Sequence, residues 1–97
     1  RRMLRKFLDT YPGAAREIAT HLSSGETESA QRAAHSIKGT AATLGMNTLS
    51  AAAASLEESL RRRLPAEESR ERLELFAQSL DLTMQAIRSR LGDSLQA

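Results

Sequence analysis

The chain contains no cysteine, which excludes a disulfide framework and every thiolate metal site and is compatible with a reducing compartment. Aromatic residues make up only 3% of its 97 residues and β-branched residues are few, so alanine and leucine must supply the core, as in helical bundles. No apolar run approaches the roughly 20 residues needed to span a bilayer, and no secretory h-region is present. Charge of one sign is also lacking: 14 basic and 12 acidic residues leave a formal net charge of +2, which gives little support to nucleic-acid binding. The one basic cluster, Arg61-Arg62-Arg63, falls near the C-terminal end of an expected helix, where cations complement the dipole and a solvated face is the simpler reading. The length suits one domain, residues 1–97, with a modest core and no large active-site cavity. Because the sequence opens Arg1-Arg2 rather than with Met, we expect an excised piece of a longer protein.

What is present is helical periodicity. Leu4, Phe7, Leu8, Tyr11, Ala15, Ile18 and Leu22 recur at intervals of three and four, the mark of one helix face. That phase survives Pro12, but a proline in a helix interior removes a hydrogen bond and clashes with the preceding turn, which predicts a kink, or a short helix followed by a second one begun near Pro12. Ser23-Ser24-Gly25 then stops the helix, with glycine suited to a left-handed cap. A second helix is expected from Thr27, as N-cap, to Gly45, and Asn47 is the expected N-cap of a third with the stripe Leu49, Ala53, Leu56, Leu60 and Leu64. Pro65 separates this from a fourth helix carrying Leu73, Phe76, Leu80, Thr83 or Met84, Ile87 and Leu91 and closing at Gly92. Short connections between four amphipathic helices imply an all-α, antiparallel up-down-up-down four-helix bundle with a kinked or split N-terminal helix.

One stretch does not read as packing alone. Residues 33–45, AAHSIKGTAATLG, place His35, Lys38 and Gly39 within about one helical turn. On a wheel of about 100° per residue, Ala30, Ala33, Ile37, Ala41 and Leu44 fall opposite His35 and form the expected core face. Glu28, Gln31, Lys38, Gly39 and Ala42 share the side of His35, with Arg32 at its margin. His35 should therefore look outward rather than sit as a satisfied core histidine. A zinc site fails on counting, because the only other histidine, His21, lies in another helix and Lys38 would repel a cation. No nucleophile, base and oxyanion hole assemble into an acyl-transfer site.

What remains is a histidine that reacts with a group delivered by a partner. A neutral imidazole is a good nucleophile near pH 7. A lysine one turn away can place its ammonium beside phosphate oxygens, and charge stabilisation of this kind supplies much of the catalysis of phosphoryl transfer. Gly39 costs about 1 kcal/mol of helix propensity relative to alanine, so mid-helix it asks for a reason. Close packing against another helix is the bland one; on the His35 side, and beside the small Ala42, access for a second protein is the better one.

Together, His35-x-x-Lys38-Gly39-Thr40, the glycine stop at Gly45, Leu49 and the pair Leu56-Glu57 resemble the histidine-containing phosphotransfer (HPt) domain, over nearly the whole chain in helix order and length. Thr40 stands where serine is frequent, and Ala51 to Ala54 is alanine-rich even for that family. The resemblance implies that His35 is phosphorylated, on Nε2, and exchanges the group with aspartates of response-regulator receiver domains. Lys38 would assist the phosphoryl group and Glu57 would orient the imidazole through a hydrogen bond; the plainer alternative for Glu57 is an ion pair with Arg61. Gln31, Arg32, Gly39, Ala42 and Arg61 would form the receiver-docking face. No cofactor is expected on the chain itself, with Mg²⁺ held by the partner receiver, and no kinase activity, since no glycine-rich phosphate loop is present.

The family placement further implies a cytoplasmic, monomeric module of a hybrid sensor kinase, with no nucleic-acid partner and no membrane contact of its own. The amino-terminal phosphoacceptor domain of a chemotaxis-type kinase carries a similar H-S-I-K-G run and is the near alternative. The missing acidic regulator-docking linker after the fourth helix favours the first. A non-catalytic helical interaction or dimerisation bundle, with His35 a mere surface residue, is the alternative from a different class.

Overall fold

Proline lacks an N–H and its ring clashes with the preceding helical turn, so the first apolar stripe cannot be carried by one unbroken helix. The computed structural model, which describes residues 2–96 and side chains as far as Leu91, divides it into α1 (Arg2–Thr10) and α2 (Ala14–Ser23). Between them Tyr11 N–H donates to the Phe7 carbonyl at 3.1 Å and Ala14 N–H to the Tyr11 carbonyl at 3.1 Å, so the chain turns without leaving Tyr11's backbone unpaired. Then follow α3 (Thr27–Thr43), α4 (Asn47–Arg61) and α5 (Ala66–Gln96). With α1 and α2 as one bent rod, the molecule is a four-helix bundle, and no strand occurs among the described residues.

Three helix ends share one backbone solution. Gly25 (φ 75°), Gly45 (φ 76°) and Arg63 (φ 52°) are all left-handed. After each, an N–H reaches back five residues, from Glu26 to the His21 carbonyl at 2.7 Å, from Met46 to Ala41 at 2.8 Å and from Leu64 to Ser59 at 3.0 Å. In the first two turns the residue after glycine also opens the next helix, so Glu26 and Met46 hold the N-cap positions, without a side-chain cap. Thr27 and Asn47, expected as N-caps, lie one place inside their helices because the turn leaves no residue to spare. Gly92 does not end the last helix either; α5 runs on to Gln96, since a lone glycine costs only about 1 kcal/mol and no proline follows.

At about 1.5 Å per residue α5 spans the long dimension of the 48 × 22 × 18 Å molecule. α3 packs against α2 and α4, α5 against α1, α2 and α4, and α3 and α5 occupy diagonal corners. The most extensive contact is α3 with α4. Phe7, Ile18, Ile37, Leu49, Leu56 and Phe76 are the large side chains at the centre. Two buried hydroxyls join α4 to α5: Ser69 donates to Ser59 at 3.2 Å, and Ser59 donates to the Leu56 carbonyl at 2.8 Å.

The core face of α3 is Ala30, Ala34, Ile37 and Ala41. Ala34 thus takes the place expected for Ala33, which is half-buried at the edge, as is Leu44. The buried arc is turned toward α4 because that neighbour covers more of α3 than α2 does. This rotation predicts an asymmetry that urea unfolding can measure. Ala34→Leu must overpack the α3–α4 contact, at a cost of about 1–3 kcal/mol, whereas Ala33→Leu should cost less than about 1 kcal/mol.

Candidate functional site

His35 lies in the middle of α3 with its side chain 66% exposed, and Lys38 follows one turn later, 34% exposed. Because α4 runs antiparallel and close alongside, Glu57 reaches both while remaining only 15% exposed itself. Its Oε2 is 2.7 Å from His35 Nδ1, and its Oε1 accepts from Lys38 Nζ at 2.6 Å. The helices are also tied just below this point, where Ser50 Oγ donates to the Lys38 carbonyl at 3.1 Å. Arg61 does not compete for Glu57; its guanidinium pairs with Glu58.

This arrangement fixes the imidazole tautomer. An ionised carboxylate only accepts, so Nδ1 must carry the proton and Nε2 keeps its lone pair. Partial burial pushes the Glu57 carboxyl up, but the hydrogen bonds from Lys38 and His35, with their charges, outweigh it and hold the group below the ordinary carboxylate range. Glu57 is therefore ionised near neutral pH.

The surface beside the histidine is low. Gly39 and Ala42 are exposed, and a Cβ placed on Gly39 would meet nothing within 4 Å. Close helix packing is thus not the reason for this glycine. Gln31 is half-buried and Arg32 exposed one turn before His35, with the Arg32 guanidinium 3.3 Å from Ser29 Oγ. Arg61 is exposed on α4 one turn beyond Glu57, level with Gln31 by the antiparallel register. Glu57 joins His35 and Lys38 directly; Gln31, Arg32, Gly39, Ala42 and Arg61 make no side-chain hydrogen bond to these three.

The opposite flank is not foreseeable from the residue pattern. Tyr11, counted as one more apolar residue of the first stripe, places its hydroxyl 3.5 Å from Ser36 Oγ and 3.3 Å from Thr40 Oγ1. A tyrosine in an apolar stripe signals an end that needs a partner, but which hydroxyls it meets depends on how the split rod lies on α3. His21 lies at a distance from this site, at the end of α2 between Glu17 and Glu26. Among the described residues no group of three or more His, Asp or Glu could hold a metal ion, and no helix is long and apolar enough to cross a membrane.

The lowered pKa of Glu57 has a definite sign for stability. Its contribution is fully present above the unfolded-state value near 4.5 and is lost as the pH falls through the depressed folded value. In parallel denaturant titrations the stability advantage of wild type over Glu57→Gln should be constant near neutrality and shrink below about pH 4.5. An advantage that does not change with acidification would contradict an ionised Glu57 in the folded state.

Neither a curated protein nor a solved structure matches the chain. The family model of the Hpt domain does, over residues 2–93, which takes in every residue of the site. With a helical bundle that displays one histidine from the middle of its second rod, the chain belongs to the Hpt domain family, whose members act in histidine phosphotransfer as phosphoryl carriers rather than catalysts.

Proposed function

We propose that His35 is the residue that carries the phosphoryl group, accepting it from the aspartate of one receiver domain and passing it to the aspartate of another. The observation that carries this reading is the short contact from His35 Nδ1 to Glu57 in a side chain otherwise open to solvent. The Nε2 lone pair attacks the phosphorus of an aspartyl phosphate; an N–P bond forms as the P–O bond to the carboxylate breaks, and the carboxylate leaves with its electron pair. Nδ1 keeps its proton, so the phosphorylated ring carries a positive charge that Glu57 offsets. In the onward step a second carboxylate attacks phosphorus and the N–P electron pair returns to Nε2.

Lys38 is one turn from the reacting nitrogen and holds one oxygen of Glu57. A phosphoryl group on His35 offers its ammonium a competing anionic partner, and charge developing on the equatorial oxygens is where such a cation acts. Gly39 and Ala42 leave room for the receiver to bring phosphorus within bonding distance, with Gln31, Arg32 and Arg61 at the edge of the docking face. Mg²⁺ belongs to the receiver's acidic pocket in this scheme.

Incubation with a phosphorylated receiver should label wild type with an acid-labile, alkali-stable phosphate and leave His35→Gln unlabelled. Equal labelling of His35→Gln would remove the histidine from the mechanism. Gly39→Arg should retain the helical circular-dichroism signal while slowing transfer by about tenfold or more, the equivalent of about 1.4 kcal/mol of lost docking; transfer at the wild-type rate would show that Gly39 provides no docking room.

A further inference from the structure

His35 has two unlike flanks. On the α4 side stand Lys38 and Glu57, both charged; on the side of the α1–α2 corner stand three neutral hydroxyls, those of Tyr11, Ser36 and Thr40. Taken from His35 at about 100° per residue, Lys38 lies about 60° to one side and Gly39, Ser36 and Thr40 lie about 40°, 100° and 140° to the other. The open shelf at Gly39 is therefore bounded by the imidazole and by the hydroxyl cluster.

Several constraints hold Tyr11 at this edge. Its backbone both ends α1 and leads into α2, through bonds to Phe7 and from Ala14. Its ring packs against the buried Phe7 ring at a centroid distance of 5.0 Å. The residue before a proline is confined to extended or turn conformations, so Pro12 restricts the backbone that aims this side chain. What is fixed in this way is the position of one hydroxyl that is only partly withdrawn from solvent. Three hydroxyls bring three O–H donors and more acceptor sites than their mutual contacts use.

We propose that Tyr11 is a docking and specificity residue for the receiver domain, its hydroxyl bonding the receiver surface that flanks the reacting aspartate while Ser36 and Thr40 hold it in place. This rests on the phosphorelay reading above and adds to it a contact from outside α3 and α4. The Pro12 break is thereby given a use, since it delivers a side chain from the first rod to the height of the histidine on the second. A neutral hydrogen-bonding edge suits discrimination among receivers, because a partner that leaves the hydroxyl unpaired forfeits the bond and gains no compensating charge attraction.

The test uses the whole chain, phosphorylated on His35 with phosphoramidate, and the receiver to which wild type transfers fastest in a panel of purified receiver domains. Tyr11→Phe keeps the ring and deletes only the hydroxyl. It should raise KM for that receiver by roughly 3- to 10-fold, the range of one neutral hydrogen bond, with kcat and the rate of labelling by phosphoramidate within twofold of wild type. The double variant Ser36→Ala/Thr40→Val should raise KM similarly, and combining it with Tyr11→Phe should add nothing further. An unchanged KM in Tyr11→Phe overturns the docking role, as does a parallel loss of phosphoramidate labelling, which would mark a general structural defect. Failure of wild type to transfer to any receiver would instead refute the phosphorelay reading, and the docking role with it.

Discussion

The carboxylate of Glu57 is the interaction on which the site depends. One oxygen accepts a hydrogen bond from His35 Nδ1–H and the other from the ammonium of Lys38, at 2.7 and 2.6 Å, so a single side chain sets the tautomer of the imidazole and the position of the nearest cation. Remove it and the exposed histidine is free to rotate and to exchange tautomers, with neither ring nitrogen defined as the one facing outward. The bond also crosses from α4 to α3, so the site is built on the most extensively packed helix pair of the bundle rather than on a loop.

That closeness has its own cause. Glutamate is a short reach for a helix-to-helix contact, and it succeeds because the surfaces beneath it are small: Ala34 and Ala41 on α3 and Ala53 on α4 are all fully buried. Helices faced with alanine approach more nearly than helices faced with leucine, within the usual spread of about 8–10 Å between axes. Ala53, the one buried residue of the alanine-rich stretch from Ala51 to Ala54, thus has an indirect part in the site.

Much of this was legible in advance, and the misses have physical reasons. Stripes at spacings of three and four located every helix, because burial of one face imposes that period regardless of detail. His35, Lys38 and Gly39 stood out because a cation and a glycine beside a lone histidine contradict core packing. The choice between Ala33 and Ala34 was not legible. A wheel centred on one residue assumes that the core lies directly opposite, whereas the unequal cover given by α4 and α2 turns it through a fraction of a residue step. Thr27 and Asn47 have the right chemistry for N-caps, but two-helix turns this tight fill the cap position with the residue after glycine. The choice of partner for Glu57 was open between Arg61 on its own helix and His35 on the next, and only the inter-helix distance decides between them.

The diagonal placement of α3 and α5 explains why so small a bundle can expose a reactive group without weakening itself. Among the helices α3 rests on α2 and α4 alone, so its outer arc around Gly39 and Ala42 is covered by neither. The length and the largest aromatic side chain of the last rod, Phe76, serve stability on the far side. On the near side the constraints are reversed: a glycine that no packing requires, an imidazole held by one nitrogen only, and a hydroxyl edge supplied by the broken first rod. Gly39 costs about 1 kcal/mol of helix propensity, and the space where its side chain would be meets no neighbour within the chain. An arc of this kind is what the proposed docking of a receiver domain requires, and packing within the chain does not.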